Sequence, residues 1–434
     1  MGLPIMSLRH LPVRSIMGPV IALGLVAAAP LGARPGDPSP SEKAVPAADT
    51  LPPIVFFVAK GDPDACGSGC REWIAADGRI DPGADDRLRA LLRKLGGRKL
   101  PIFFHSPGGR VEVALAIGRM LRARGLTAGV ARTVPVGCDA KQTREAACDK
   151  LKREGRELLA DLDMARTMCN SACVFALVGG AVRDLGAGVR LGVHSVRLAA
   201  TSGPGGAGHA RVTAAAEQRA LQQIYQRIAA YLAEMGIAPR LLAAAREIDT
   251  HSLRYLTRDE VVAFGIDRRE AVESSWQFIE SAANASATKI LEARDDESSG
   301  FRTTTLTLRC ATPLEVTLQY RHEAGAVARS LPRLRLTAGA GSFPLGRAIT
   351  LATTRGTRRQ VEMLDARLPI SILREPAFAI EAVESAAAVP DPSAIEARFA
   401  TVTVRSLGSG LSQLARSCAA PPAVPHGSPA VEHI

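Results

Sequence analysis

An α/β domain followed by a small, mainly-β, sandwich-like C-terminal domain is the fold class this sequence predicts. Three observations predict it. Between positions 51 and 269, apolar runs of strand length alternate with amphipathic helical stretches. Beyond position 300 the pattern changes to closely spaced strand-like segments with few helices. The 434 residues, 47% hydrophobic and 22% charged, have room for two domains of ~150 residues each besides the N-terminal segment. Outside the first thirty positions no apolar run approaches the ~20 residues of a membrane span, which excludes a polytopic membrane protein. Basic residues outnumber acidic ones 54 to 43, for a net charge of +11. Only eight of them are Lys, the Arg residues are scattered, and aromatics are 4%, so no stacking platform for nucleic acid is expected.

The first 29 positions have the order of a secretory signal. Arg9, His10 and Arg14 precede the apolar stretch 16–29, and small residues close it, with a cleavage site after Ala28. The alternative is a retained anchor that associates the chain with a membrane. Residues 30–50, rich in Pro, Ser and Ala, predict a flexible linker. A periplasmic or otherwise exported chain follows, cleaved or held at the inner membrane. The eight cysteines fit that address, because an even count in an oxidising compartment favours disulfides. Cys66 and Cys70 share a C-x3-C spacing with Cys169 and Cys173, which a metal site could also use. No His stands at ligand spacing near either pair, so no metal and no cofactor is expected. Cys310 and Cys418 are expected to tie the C-terminal region together. The pairing of Cys66, Cys70, Cys138, Cys148, Cys169 and Cys173 stays open.

Taken in order, 54–59 (IVFFVA) is a continuous apolar run, as in a strand buried on both faces. A second strand lies in 73–80. The Asp-Pro-Gly turn at 81–83 opens a helix over 84–95, with Leu88, Leu91, Leu92 and Leu95 at helical spacing. The strand 100–105 (LPIFFH) runs into Ser106-Pro107-Gly108-Gly109. A helix over 111–124 then stops at Gly125, and 126–134 is another strand. This order implies a largely parallel sheet with right-handed crossovers. Residues 137–165 are polar and helix-prone and look inserted.

Next comes a small polar turn, Cys169-Asn170-Ser171-Ala172-Cys173, opening an apolar helix. That puts a hydroxyl at a helix N-terminus, where free N–H groups favour developing negative charge. The strand 189–195 carries His194 among apolar neighbours. The loop 203–208 (GPGGAG) lacks the strand, helix and Lys context of a phosphate cradle. A helix over 213–235 aligns Leu221, Ile224, Ile228, Tyr231 and Leu232 as a packing stripe. A linker is expected at 285–300, then a β-rich domain over 301–420, with a terminal helix over 411–418 and a disordered tail over 421–434.

Ser-Pro-Gly-Gly after a strand, Ser171 at a helix start and His194 on the following hairpin, in that order, resemble the Clp-type serine peptidases of the ClpP/crotonase fold. Residues 74–109 resemble that family's first two β-α units, and 255–267 the segment where its chain leaves the domain. The cysteine-flanked serine and signal segment look closest to the exported bacterial branch of poorly characterised proteins in that group. The resemblance covers 51–270, and it implies a spiral of β-β-α units over a domain at 51–284. It also implies a homo-oligomer, a peptide or unfolded-protein substrate, and acyl-enzyme chemistry. Ser171 is then the nucleophile and His194 its base. The N–H groups of Gly108 and Ala172 form the oxyanion hole, and Gly109 lets the substrate backbone lie alongside as an added strand.

The third member of the triad departs from the family pattern. Counting forward from Met235-Gly236 places the acid at Asp249, whereas counting back from Tyr255-Leu256-Thr257 places it at Leu253. Asp249 is the choice, Ser252 a weaker substitute, and a Ser–His pair helped by a backbone carbonyl a further arrangement. Taken one at a time, Ser171 fits a helix cap and His194 a core histidine, while His105 and His251 have no assigned role. A Ser–Lys dyad is disfavoured. No lysine lies between Ser171 and Lys289, and the upstream lysines are mostly in polar, solvated settings. Acyl-CoA chemistry does not suit an exported chain. Against the hydrolase stands a binding scaffold that keeps the fold without its chemistry.

Overall fold

Strand β1 (Val55–Lys60) pairs antiparallel with β2 (Glu72–Asp77), and side chains on both faces of the pair are buried. A computed structural model describes residues 52–138, 146–164, 167–198, 214–280, 285–294, 300–324, 333–347, 349–351, 360–383, 402–405 and 409–419. The expected signal or anchor, the 30–50 linker, the 203–208 loop and the 421–434 tail lie outside those residues.

Helix α1 (Ala84–Lys94) follows the turn at Gly83. It has Asp85 and Asp86 in its first turn, Arg93 and Lys94 in its last, and it buries Ala84, Leu88 and Leu92. Strand β3 (Ile102–His105) is wholly buried, and helix α2 (Val111–Arg124) ends at Gly125. The stretch expected as one strand is two, β4 (Thr127–Val130) and β5 (Arg132–Pro135). β4 pairs with β3, whereas β5 pairs with β6 (Leu158–Asp163), so the chain changes partners at Ala131.

The segment expected as a helical insertion forms a short helix, α3 (Ala146–Lys152), and then β6, which lies between β5 and β1 in the main sheet. Its inward residues Leu158, Ala160 and Leu162 alternate with outward ones, and that period of two outweighs the polar composition. The short strand β7 (Cys169–Asn170) leads into helix α4 (Ala172–Val178), and β8 (Val182–Asp184) closes the sheet. The sheet order is β5-β6-β1-β2-β3-β4-β8. The β1–β2 and β5–β6 pairs are antiparallel and the other pairs parallel, so the sheet is mixed.

Strand β9 (Leu191–Val193) joins β7 and, after helices α5 (Ala214–Glu234) and α6 (Arg240–Arg246), β10 (Arg254–Tyr255) in a small separate sheet. Helix α7 (Arg258–Ala263) starts with a capping box between Thr257 and Glu260. The apolar stripe of α5 is largely covered by the chain's own core, with Ile228, Tyr231 and Leu232 buried. The Tyr231 hydroxyl donates to the Phe175 carbonyl of α4 at 2.7 Å. Burial holds that phenol well above the ordinary tyrosine range.

Strands β11 (Ala271–Glu273), β12 (Gln277–Ile279) and β13 (Ser286–Arg294) begin a second set of sheets. They are followed by β14 (Phe301–Thr312), β15 (Glu315–Ala324), β16 (Arg333–Ala338), β17 (Gly341–Arg347), β18 (Ile349–Leu351), β19 (Gln360–Pro369), β20 (Ala377–Val383) and β21 (Val402–Arg405). One antiparallel sheet runs β11-β13-β14-β15-β19-β18, with β12 beside β13, and the other runs β17-β16-β20-β21. Leu306, Leu318, Leu336, Ile380 and Val404 of the two sheets lie in one hydrophobic cluster. The molecule is thus a mixed α/β chain with several sheets, and its described residues fall in one compact unit.

The expected linker at 285–300 is largely strand β13. Ala287, Lys289 and Leu291 point inward in alternation, and the lysine at an inward position disguised the pattern. Fully buried, Lys289 pairs with Glu273 at 2.9 Å and donates to the Arg405 carbonyl at 2.7 Å. Burial brings its pKa down to about 8. All eight cysteines are bonded, as Cys66–Cys70, Cys138–Cys148, Cys169–Cys173 and Cys310–Cys418. The last pair joins β14 to the helix Gly410–Ala419. Among the described residues no helix is long and apolar enough to cross a membrane.

Candidate functional site

Where β7 turns into α4, Ser171 takes φ 54 and ψ −123, well outside the regions an L-residue prefers. Its N–H donates to the Gly192 carbonyl of β9 at 2.7 Å. The neighbouring Asn170 N–H donates to the Ser106 carbonyl at 3.0 Å, just past β3. The serine is therefore gripped from two strands. Its side chain makes no capping bond to α4. A serine that merely caps a helix takes an extended backbone and turns its oxygen onto the first-turn amides, and Ser171 does neither.

The Ser-Pro-Gly-Gly turn abuts this elbow. Gly108 has φ +100, and a Cβ there would stand 2.6 Å from the Asn170 carbonyl oxygen and 2.8 Å from the Ser171 Cβ. The same point is 3.1 Å from the Ala172 nitrogen, so the Gly108 backbone and the first amide of α4 flank the serine together. The Gly108 N–H already donates to the buried Ser106 hydroxyl at 3.2 Å. Composition around Ser-Pro-Gly-Gly gave no sign of that bond.

Gly109 has φ +142 and bridges Ile80 of this chain. A Cβ there would lie 2.1 Å from the Ile80 carbonyl oxygen, so this chain's own backbone already demands the glycine. Ile80 bonds the Gly108 carbonyl and the Arg110 N–H, each at 2.8 Å. In a parallel bridge of that kind the Gly109 N–H and carbonyl face the opposite side.

His194 stands one residue past β9. Its Nδ1 is 2.7 Å from the Ser195 carbonyl oxygen, which can only accept, so Nδ1 carries the proton and Nε2 keeps its lone pair. The adjoining backbone is held as well. The Ser195 N–H donates to the Ile248 carbonyl at 3.0 Å, and the Val196 N–H to the Tyr225 hydroxyl at 3.0 Å. Burial lowers the His194 pKa below its ordinary 6.5, against the Ser195 carbonyl, which raises it. Arg197 and His251 push it further down and Asp249 pushes it up. The imidazole is thereby neutral at neutral pH, as a base requires. Among the described residues no hydrogen bond links Ser171 and His194.

The β9–β10 register pairs Val193 with Arg254 and Gly192 with Tyr255 and ends there, and just beyond it the Ser195 N–H turns to the Ile248 carbonyl. Leu253 is 8% exposed, and its Cδ2 would lie 2.7 Å from a Cβ on Gly192. Asp249 is exposed, and its Oδ1 accepts from the His251 N–H at 2.8 Å. The Ser252 N–H donates to the Asp249 carbonyl at 3.1 Å, so residues 249–252 form a turn where the two sequence counts diverge. Asp249 reaches His194 only through space.

His105 is buried, and its Nδ1 accepts from the Met168 N–H at 3.4 Å. Lys152, expected in a solvated setting, is 3% exposed, with its ammonium on Asp77. The helix α3 that carries it packs onto β1, which no polarity count foresees.

The mixed sheet thus presents an uncapped serine at a strand-to-helix elbow, with a neutral histidine one residue past the adjoining strand. Among solved structures the chain is similar to a ClpP1 mutant from Listeria monocytogenes, with 17% identity over 44% of this chain and 85% of that one, at TM-score 0.27. It is also similar to a mutant of the 1510-N membrane-bound stomatin-specific protease, with 15% identity over 44% of this chain and 75% of that one, at TM-score 0.26. No family model matches the chain, and no curated protein matches it.

Two consequences of this geometry are measurable. Because Nε2 must be unprotonated to take the serine proton, Ser171 reactivity should rise with pH through a midpoint below 6.5. It should be flat between about pH 7 and about pH 8. A fluorophosphonate labelling rate measured against pH tests this, and a midpoint above 7 contradicts it. Asp249→Asn removes only an exposed charge, so turnover should change by less than about fivefold, the ceiling set by about 1 kcal/mol. A loss of 10²-fold or more would instead make Asp249 the orienting acid.

Proposed function

We propose that this protein is an exported serine hydrolase that cleaves peptides or unfolded chains through an acyl-enzyme on Ser171. One observation carries the reading. Ser171 holds a strained backbone conformation and gives no capping bond to α4 in return. A purely structural serine would relax into the cap, whereas a nucleophile needs its oxygen turned out of the helix.

In the reaction, Ser171 Oγ attacks the substrate carbonyl as His194 Nε2 removes its proton. The Ser195 carbonyl accepts from Nδ1–H, fixing the tautomer and steadying the imidazolium that forms. The Ala172 N–H at the start of α4 and the Gly108 N–H face the developing oxyanion, and the Ser106 hydroxyl must yield the Gly108 amide to it. His194 then protonates the leaving amine and later activates the water that frees the acyl group. The outward N–H and carbonyl of Gly109 suit an extended peptide laid alongside as an added strand. Four disulfides fit an oxidising compartment.

A second reading has its own support. The position that the backward count gives to the acid is a buried leucine, Leu253, packed at Gly192, and the Gly108 amide is already taken by Ser106. Those features suit a binding scaffold without chemistry. A fluorophosphonate probe separates the two, since adduct on Ser171 in the wild type, absent from His194→Ala, requires the hydrolase. Absence of adduct from folded, oxidised protein requires the scaffold.

A further inference from the structure

The cysteine pair around Ser171 has no part in the chemistry described so far. Cys169 and Cys173 stand two residues before and two after the serine, and they are bonded to each other. Cys169 belongs to β7 and Cys173 to the first turn of α4, so the bond spans the elbow itself. Both sulfurs belong to fully buried residues.

Two features of the elbow call for such a brace. A non-glycine residue at φ 54 and ψ −123 is strained, and it persists only where the surroundings over-determine it. Helix α4 also starts without a side-chain cap, although serine is among the residues that cap best. Released from the turn, Ser171 has a competing conformation with negative φ. There its Oγ accepts from the first-turn N–H groups, and the Val174 N–H now bonded to the Ser171 carbonyl at 3.0 Å is one of them. One residue thus has two uses, as the cap of α4 or as a presented nucleophile. In the G-x-S-x-G elbow, glycines flank the serine at the same two positions and let strand and helix meet in a sharp turn. Here cysteines take both positions. The body of α4 is wholly buried and core-held, so the bond acts on its first turn.

We infer that the Cys169–Cys173 disulfide is a redox-controlled brace that holds Ser171 in its presented conformation, so that the site is assembled only in the oxidised chain. This rests on the hydrolase reading above. On closure the two thiols give up two protons and two electrons to the disulfide of an oxidising exchange partner. The Cys169–Cys173 bond forms, the partner's sulfur–sulfur bond breaks, and the partner leaves as a dithiol. Opening reverses each step when a local opening of the elbow exposes the buried pair to a reducing dithiol, and Ser171 relaxes onto α4. A chain still in a reducing compartment is silent, and oxidation switches it on. Cys169 and Cys173 are positioning residues, since neither touches the reacting atoms.

One peptide reports the outcome, because trypsin releases residues 167–183 with both cysteines and the serine together. Full-length protein partly reduced with a phosphine is treated with a fluorophosphonate, then unfolded and alkylated. Adduct should be enriched at least about tenfold on the disulfide-closed form of the peptide over its dithiol form, the factor that about 1.4 kcal/mol of lost positioning corresponds to. Equal adduct on both forms overturns the inference. A readout independent of activity follows Ser171 Cα and Cβ chemical shifts in the same partly reduced, 13C-serine-labelled protein. They should move toward helix-cap values in the dithiol form, and unchanged shifts overturn the inference. If shifts move while the oxidised protein never takes adduct, the brace stands and the hydrolase reading fails. Cys66→Ser with Cys70→Ser, a pair of the same spacing away from the elbow, should label like wild type. A matching loss there would show that reduction acts through the general fold, and would overturn the local role.

Discussion

Ser171→Ala is expected to abolish hydrolysis of ester and peptide probes, a loss on the order of 10⁶ in kcat, with the fold unchanged. The substituted side chain removes one oxygen that makes no capping bond, so α4 loses nothing by it. His194→Ala should cost about as much, and the double variant should be no worse than Ser171→Ala, because nucleophile and base act as one unit. Turnover by each variant, with thermal melting as the check on folding, decides the matter. A Ser171→Ala protein that keeps wild-type turnover removes this residue from the chemistry. One pattern singles out the backbone-assisted pair, namely near-wild-type turnover in Asp249→Asn with none in His194→Ala. It follows from Nδ1 already resting on the Ser195 carbonyl.

Breaking the Cys310–Cys418 bond should produce the largest loss of stability. The bond closes a loop with a sequence separation of 108, and loops near that length are worth about 4.7 kcal/mol by loop-closure entropy. It ties β14 to the helix Gly410–Ala419, whose Leu411 and Leu414 enter the same core as Trp276. Cys310→Ala with Cys418→Ala should therefore lower the denaturant midpoint of the transition reported by Trp276, in a Trp73→Phe background that leaves one indole. Ser171 labelling under native conditions should stay at the wild-type rate, since no residue of that helix lines the elbow. An unchanged midpoint would show that the helix docks by its apolar face alone.

The elements legible in the sequence were those whose local pattern and final surroundings agree. Helix α2 runs from Val111 to Arg124 as its spacing and Gly125 predict, because the same residues set both its period and its stop. The strands misread were those with polar content. β6 hides inside a charged, helix-prone stretch, and β13 carries a lysine at an inward position. In each case the period of two was present, but pairing made it count, β6 with the far upstream β1 and β13 with the next strand, β14. Lys289 is tolerated inside only because Glu273 and the Arg405 carbonyl meet it there, and those groups are 16 and 116 residues away in the chain.

The candidate site divides in the same way. By itself the sequence determined the residue types that chemistry needs and their order, Ser-Pro-Gly-Gly, then Ser171, then His194, together with an even set of cysteines. Those follow from covalent identity and short-range turn chemistry, which no partner alters. Only the tertiary structure decided which groups face one another. It buried Leu253 against Gly192, left Asp249 in an exposed turn, gave the Gly108 amide to Ser106, and joined Cys169 to Cys173 across the serine. The physical reason is register. A strand pairing shifted by one residue turns every side chain to the other face, and counting along a chain with a turn of variable length cannot supply it. The strain at Ser171 has the same origin, since its φ is set by hydrogen bonds to Gly192 and by the Cys169–Cys173 bond, not by its own preference.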